Sequence, residues 1–142
     1  MSNDRPLVRQ NYPAILVAAI VCFLFEATWY SFFLKNWLSA LGRPMQWLES
    51  PEVNLGLQCA VAILSETLIA MAISSVTQRS GPQTLIRGMK VGALASIAFV
   101  LPTFAVGYVF EARSFTLFAI DVGFWLVGMT IMGAIVGAWK KK

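Results

Sequence analysis

Charge is missing from this chain in four long stretches, and that pattern restricts what it can fold into more than any motif does. Between Arg9 and Lys35 the only charged side chain is Glu26, and between Glu52 and Arg79 it is Glu66. Between Lys90 and Glu111 there is none, and between Arg113 and Lys140 there is only Asp121. The stretches run 25, 26, 20 and 26 residues. A helix rising ~1.5 Å per residue needs ~20 residues to cross a hydrocarbon core ~30 Å thick. Four gaps of that length predict an all-α integral membrane four-helix bundle, one domain over residues 1–142. Its spans are placed near 13–34, 53–76, 91–110 and 115–139.

Composition rules out the soluble alternative. Hydrophobic residues make up 58% and charged residues 13% of the chain, against ~25% charged in an ordinary soluble domain. A domain of this size could not hide that much apolar surface from water. Pro13 suits a first helical turn, and "SGPQ" at 80–83 separates spans two and three. A cleaved signal peptide is not expected: the first apolar run is too long, and Glu26 interrupts it.

Lys and Arg set the expected orientation. Eight of the 11 basic residues fall on the side of the termini and the middle loop, leaving Lys35, Arg43 and Arg113 on the other. Both termini are therefore expected in the cytoplasm. The basic balance has a membrane explanation, so no nucleic-acid partner is expected. The expected location is a bacterial inner membrane, with the lipid bilayer as the first partner. In the first outer loop, 35–52, Trp37, Leu38, Leu41, Trp47 and Leu48 predict an interfacial anchor rather than a binding lid.

Gly88, Gly92 and Ser96 recur at four-residue spacing on span three, and Gly133 and Gly137 on span four. Small residues at that spacing let helix backbones approach closely in lipid, inside one bundle or between copies. Pro102 is expected to bend span three. No internal repeat supports a duplicated transporter architecture.

The remaining question is what the acids do. Counted along their helices, Glu26 and Asp121 lie ~10 Å below the outer edge and Glu66 lies near the midplane. No Lys, Arg or His within the spans neutralises them. Intramembrane acids face the bundle or a water-filled cavity and mark functional sites by default. Trp29, Tyr30 and Phe33 share the Glu26 face of the first helix. That arrangement is compatible with protonated acids bonded between helices, with Tyr30 as one partner. It is also compatible with a proton or cation path, since acids and aromatic faces both attract cations, or with contact to a lipid or hydrophobic ligand.

Cys22 and Cys59 sit inside spans, outside any C-x-x-C, and read as small buried hydrophobes. With no histidine, His-ligated haem and His-based metal sites are excluded. No nucleophilic triad, phosphate loop or metal-spaced cluster occurs. No cofactor and no enzymatic activity are expected.

"AILVAAIV" at 14–21, "WYS" at 29–31 and Trp37 form one recognisable group of residues. "FEARSF" at 110–115, "IDVGFWLV" at 120–127 and "MGAIVGAW" at 132–139 form the other. Together they resemble the family known as Domain of Unknown Function 1761, small four-span bacterial membrane proteins. The resemblance implies no assigned activity and carries over no catalytic residue. Trp29, Tyr30, Glu111, Arg113 and Trp139 match its recurrent positions. Glu26 stands where such proteins have a small residue, and Trp125, one turn from Asp121, where they often have His. The candidate polar layer is therefore Glu26, Tyr30, Glu66, Asp121 and Trp125. The leading functional reading is a structural or accessory subunit of a larger membrane assembly or homo-oligomer. The alternative is a small proton- or cation-coupled transporter working through its carboxylates.

Overall fold

The computed structural model of the protein describes residues 9–140. Among the described residues every regular element is helical. They are α1 (Tyr12–Ala40), a 3-10 turn (Met45–Glu49), α2 (Leu55–Arg79), α3 (Leu85–Ala95), a π-helical turn (Ser96–Val100), α4 (Leu101–Phe110) and α5 (Phe115–Ala138). From α3 through α4 the helix is continuous, so four helices are long and apolar enough to cross a membrane.

Each of the four begins at a side chain that accepts from the first turn: Asn11 from Ala14, Asn54 from Leu57, Thr84 from Arg87 and Ser114 from Leu117. These caps satisfy N–H groups that have no partner within the helix. α1 stops at Gly42, whose φ of +67° favours glycine, and the N–H groups of Gly42 and Arg43 close the helix end on Ser39 and Leu38. The same closure ends α4, with Ala112 at φ +51° and bonds from Ala112 and Arg113 to Val109 and Tyr108.

Two boundaries differ from the sequence expectation. α1 runs to Ala40, because Lys35 and Asn36 leave the apolar core without breaking the helix, so Trp37 and Leu38 belong to α1 rather than to the connection. The third span starts at Leu85, because Arg87 and Lys90 fit its first turns and Thr84 supplies the cap. The crowding expected at Pro102 is taken up by the π turn just before it, where the Leu101 N–H bonds five residues back to Ser96.

α5 is the axis of the molecule. It packs against α1, α2 and α3 along its length and more lightly against α4. The core is built from Ile15, Ala18 and Cys22 of α1, Ala70 and Ile73 of α2, and Phe124, Met129, Met132 and Val136 of α5. The α3–α5 contact is made by backbone. A Cβ on Gly88 would fall 2.8 Å from the Gly133 carbonyl carbon and 2.9 Å from Gly137 Cα, and one on Gly92 2.7 Å from the Met129 carbonyl carbon. The glycine stripe is therefore spent inside the protomer, with Ser96 buried next along it.

At one end, the Asn11 amide donates to the Trp139 carbonyl (3.0 Å) and Gln83 to the Val136 carbonyl (2.5 Å). The described chain ends and the 80–84 turn thus meet at one end, called here the terminal end. The 41–54 connection and the Glu111–Ser114 turn lie at the other, the hairpin end. Around the bundle, Leu24, Leu64, Leu94, Phe99, Val106 and Phe110 are exposed, a surface that suits a bilayer rather than water.

Candidate functional site

Cys22, Glu26 and Tyr30 recur every four residues along α1 and so form one stripe. Trp29 sets which way that stripe faces. Its indole N–H donates to the Ile120 carbonyl of α5 at 3.0 Å, and its ring lies over Gly123, where a Cβ would come within 3.1 Å. With α1 held in that register, the Tyr30 hydroxyl donates to Asp121 Oδ1 at 2.8 Å. Tyr108 of α4 donates to the other oxygen, Asp121 Oδ2. One carboxyl thus receives phenols from two helices that flank α5. Phe124 packs beside this pair, with ring centroids 5.7 Å from Tyr30 and 5.9 Å from Phe25.

Deeper in the bundle, Glu26 is half-buried and lies within electrostatic range of Tyr30, Cys22 and Glu66. Glu66, on α2, is only 1% exposed. Among the described residues no N–H or O–H donor reaches either of its oxygens; the Cys22 thiol, seated against Gly128, is the group beside it. Most buried polar groups in proteins have a full partner; Ser96 and Thr77 also lack one among the described residues, but Glu66 is the carboxyl among them. Beyond it on the same face, Ala70 and Ile73 are buried and apolar, and only then do Ser74 and Thr77 bring polar groups back.

At the hairpin end the series continues to the surface. The Arg113 guanidinium lies over the Tyr108 ring, 5.4 Å from its centroid, and pairs with Glu111. Glu111 holds the Arg113 guanidinium above its ordinary pKa by direct attraction. Tyr108 and Arg113 also line a cleft of about 390 Å³ with Ala105, Val109, Phe115 and Phe118. The site thus has two parts: Tyr108, Asp121 and Tyr30, joined by hydrogen bonds towards the hairpin end, and Glu26 and Glu66, deeper in the bundle on the same side.

The candidate residues read from the sequence divide accordingly. Tyr30 and Asp121 meet in a hydrogen bond, whereas Glu26 lies one turn deeper than Asp121 rather than level with it, and Glu66 lies deeper still. Tyr30 thus bonds Asp121 rather than Glu26. Trp125 does not join them: it packs on Phe124 at 5.0 Å and against the apolar core, with no hydrogen bond to the acids among the described residues. Tyr108 was not singled out. The signal was the short 111–114 turn, which brings the last turn of α4 beside the first turns of α5.

A family model described as a protein of unknown function, DUF1761, matches residues 13–137. The chain belongs to that family. No curated protein and no solved structure matches it. The matched region takes in all four spans and the whole acid–phenol series. The family description assigns no activity, so the functional reading rests on the site itself.

Proposed function

We propose that this protein is a small proton-coupled membrane transporter and not an enzyme, with Glu66, Glu26 and Asp121 as the groups that carry protons. The observation that supports this reading is Glu66. An acid kept only to hold helices together would have its oxygens answered by N–H or O–H donors, as those of Asp121 are, whereas Glu66 has only the weakly donating Cys22 thiol beside it. Glu66 instead ends a series of carboxyls and phenols that reaches the hairpin end. Chains of this kind in membrane proteins serve as proton relays. A proton entering at Tyr108 or Asp121 passes by way of Tyr30 and Glu26 to Glu66. Ala70 and Ile73 then separate Glu66 from the polar terminal end, so that passage across needs a change of packing, which a pH step alone can drive.

The same reading puts the terminal end in the cytoplasm of a bacterial inner membrane, because among the described residues Arg9, Arg79, Arg87, Lys90 and Lys140 lie towards that end, against Lys35, Arg43 and Arg113 towards the other. No cofactor is invoked. The test is proton movement into proteoliposomes carrying an internal pH indicator after a pH step. Wild type should acidify the lumen faster than empty vesicles, and Glu66→Gln, which keeps shape and loses the ionisable proton, should not. Equal rates for the two proteins would overturn the proposal.

A second reading, an accessory subunit packed on a partner, draws support from α4, where Val109 and Phe110 are 78% and 87% exposed. Purification from the native membrane with a stoichiometric companion protein would favour it.

A further inference from the structure

The cleft at the hairpin end opens onto Tyr108, which is also the first member of the acid–phenol series. Apart from Arg113 and Ser114 its walls are apolar and aromatic: Ala105, Val109, Phe115 and Phe118, the last edge-on to Tyr108 at 5.7 Å between centroids. Arg113 lies across the Tyr108 ring while paired with Glu111. A guanidinium on an aromatic face beside a carboxylate is how proteins hold organic cations. Here the cation is one of the chain's own side chains, on a turn, with its side chain about half exposed. Behind Tyr108 stands a second carboxyl, Asp121. Glu111 and Arg113 cancel in formal charge, and the face of the Tyr108 ring, with the Asp121 oxygens behind it, presents a negative rather than a positive surface to a ligand. The ends of α4 and α5 meet at this turn with opposite dipoles, so they do not reverse that preference.

We propose that this cleft binds an amphipathic organic cation, whose charge takes the place of Arg113 between the Tyr108 ring and Glu111 and whose apolar part lies against Phe115 and Phe118. The inference rests on the coupled-transport reading, for which it names the class of cargo, but binding is measured without any flux.

The test uses the full chain in nanodiscs, titrated calorimetrically with phenyltrimethylammonium and separately with benzenesulfonate, which carries the same ring and the opposite charge. Empty nanodiscs correct for partition into lipid. Saturable binding of the ammonium and none of the sulfonate is expected. Arg113→Gln removes the internal competitor and should tighten ammonium binding by about threefold to tenfold. Phe118→Leu, outside the acid–phenol series, should weaken it. Preference for the sulfonate, weaker ammonium binding in Arg113→Gln, or binding of neither probe would overturn the inference. If proton movement persists while the ammonium does not bind, the cargo is wrong and the transport reading stands. If the ammonium binds but no proton movement is found, the transport reading falls and the site remains.

Discussion

Asp121 accepts one phenol from α1 and one from α4, so a single carboxyl joins three helices. Hydrogen bonds of this kind in membrane proteins contribute ~1 kcal/mol each. Tyr30→Phe and Tyr108→Phe should each lower unfolding stability in detergent by about that much. The double variant should lose more than the sum, because each single variant leaves Asp121 one donor and the double leaves none. Additive losses would show that the two phenols act independently of the shared carboxyl. At this scale the sequence was partly legible. The acids announced themselves because a carboxyl is costly in hydrocarbon. Their partners did not: four-residue spacing puts Glu26 and Tyr30 on one face, but it does not say which facing helix each meets. The Trp29 bond to Ile120 decides that, and it depends on where α5 lies.

The α3–α5 contact turns a spacing rule into a measurable sensitivity. A Cβ at Gly92 would meet the Met129 carbonyl and the Thr130 nitrogen, which are backbone and cannot rotate away. Gly92→Ala should therefore cost about 1–3 kcal/mol by overpacking, and Gly92→Leu more. Leu94→Ala, at a position 66% exposed, should stay within about 0.5 kcal/mol. Thermal unfolding in detergent separates these outcomes, and equal stability of the Gly92 and Leu94 variants would contradict the packing described. The glycine spacing was legible in the sequence, since small residues at four-residue steps permit close approach. Whether they met within the bundle or between copies was not, because spacing leaves the partner helix open. Helix ends were less legible than helix middles: Lys35 and Lys90 looked like limits, whereas Gly42 and Thr84 are the residues that stop and start the helices.

For the whole molecule, the four spans could be read directly from the charge gaps, because burying a charge in lipid is the strongest constraint the chain faces. The central place of α5 could not be read, since all four spans are similarly apolar and only the packed structure shows which one the others surround. Orientation is tested with a membrane-impermeant maleimide on intact cells carrying Glu49→Cys or Lys140→Cys. Label at position 49 and none at 140 is expected, and the reverse would invert the topology. Everything proposed about function depends on whether the acid–phenol series connects the hairpin end to Glu66. The most direct measurement is infrared difference spectroscopy of the protonated carboxyl band, assigned to Glu66 by its loss in Glu66→Gln, during a pH step applied at the hairpin end. The account predicts that this band follows the step in wild type and is slowed in Tyr30→Phe. A Glu66 band that stays constant across the physiological pH range, or one that responds equally fast without the Tyr30 hydroxyl, would contradict it.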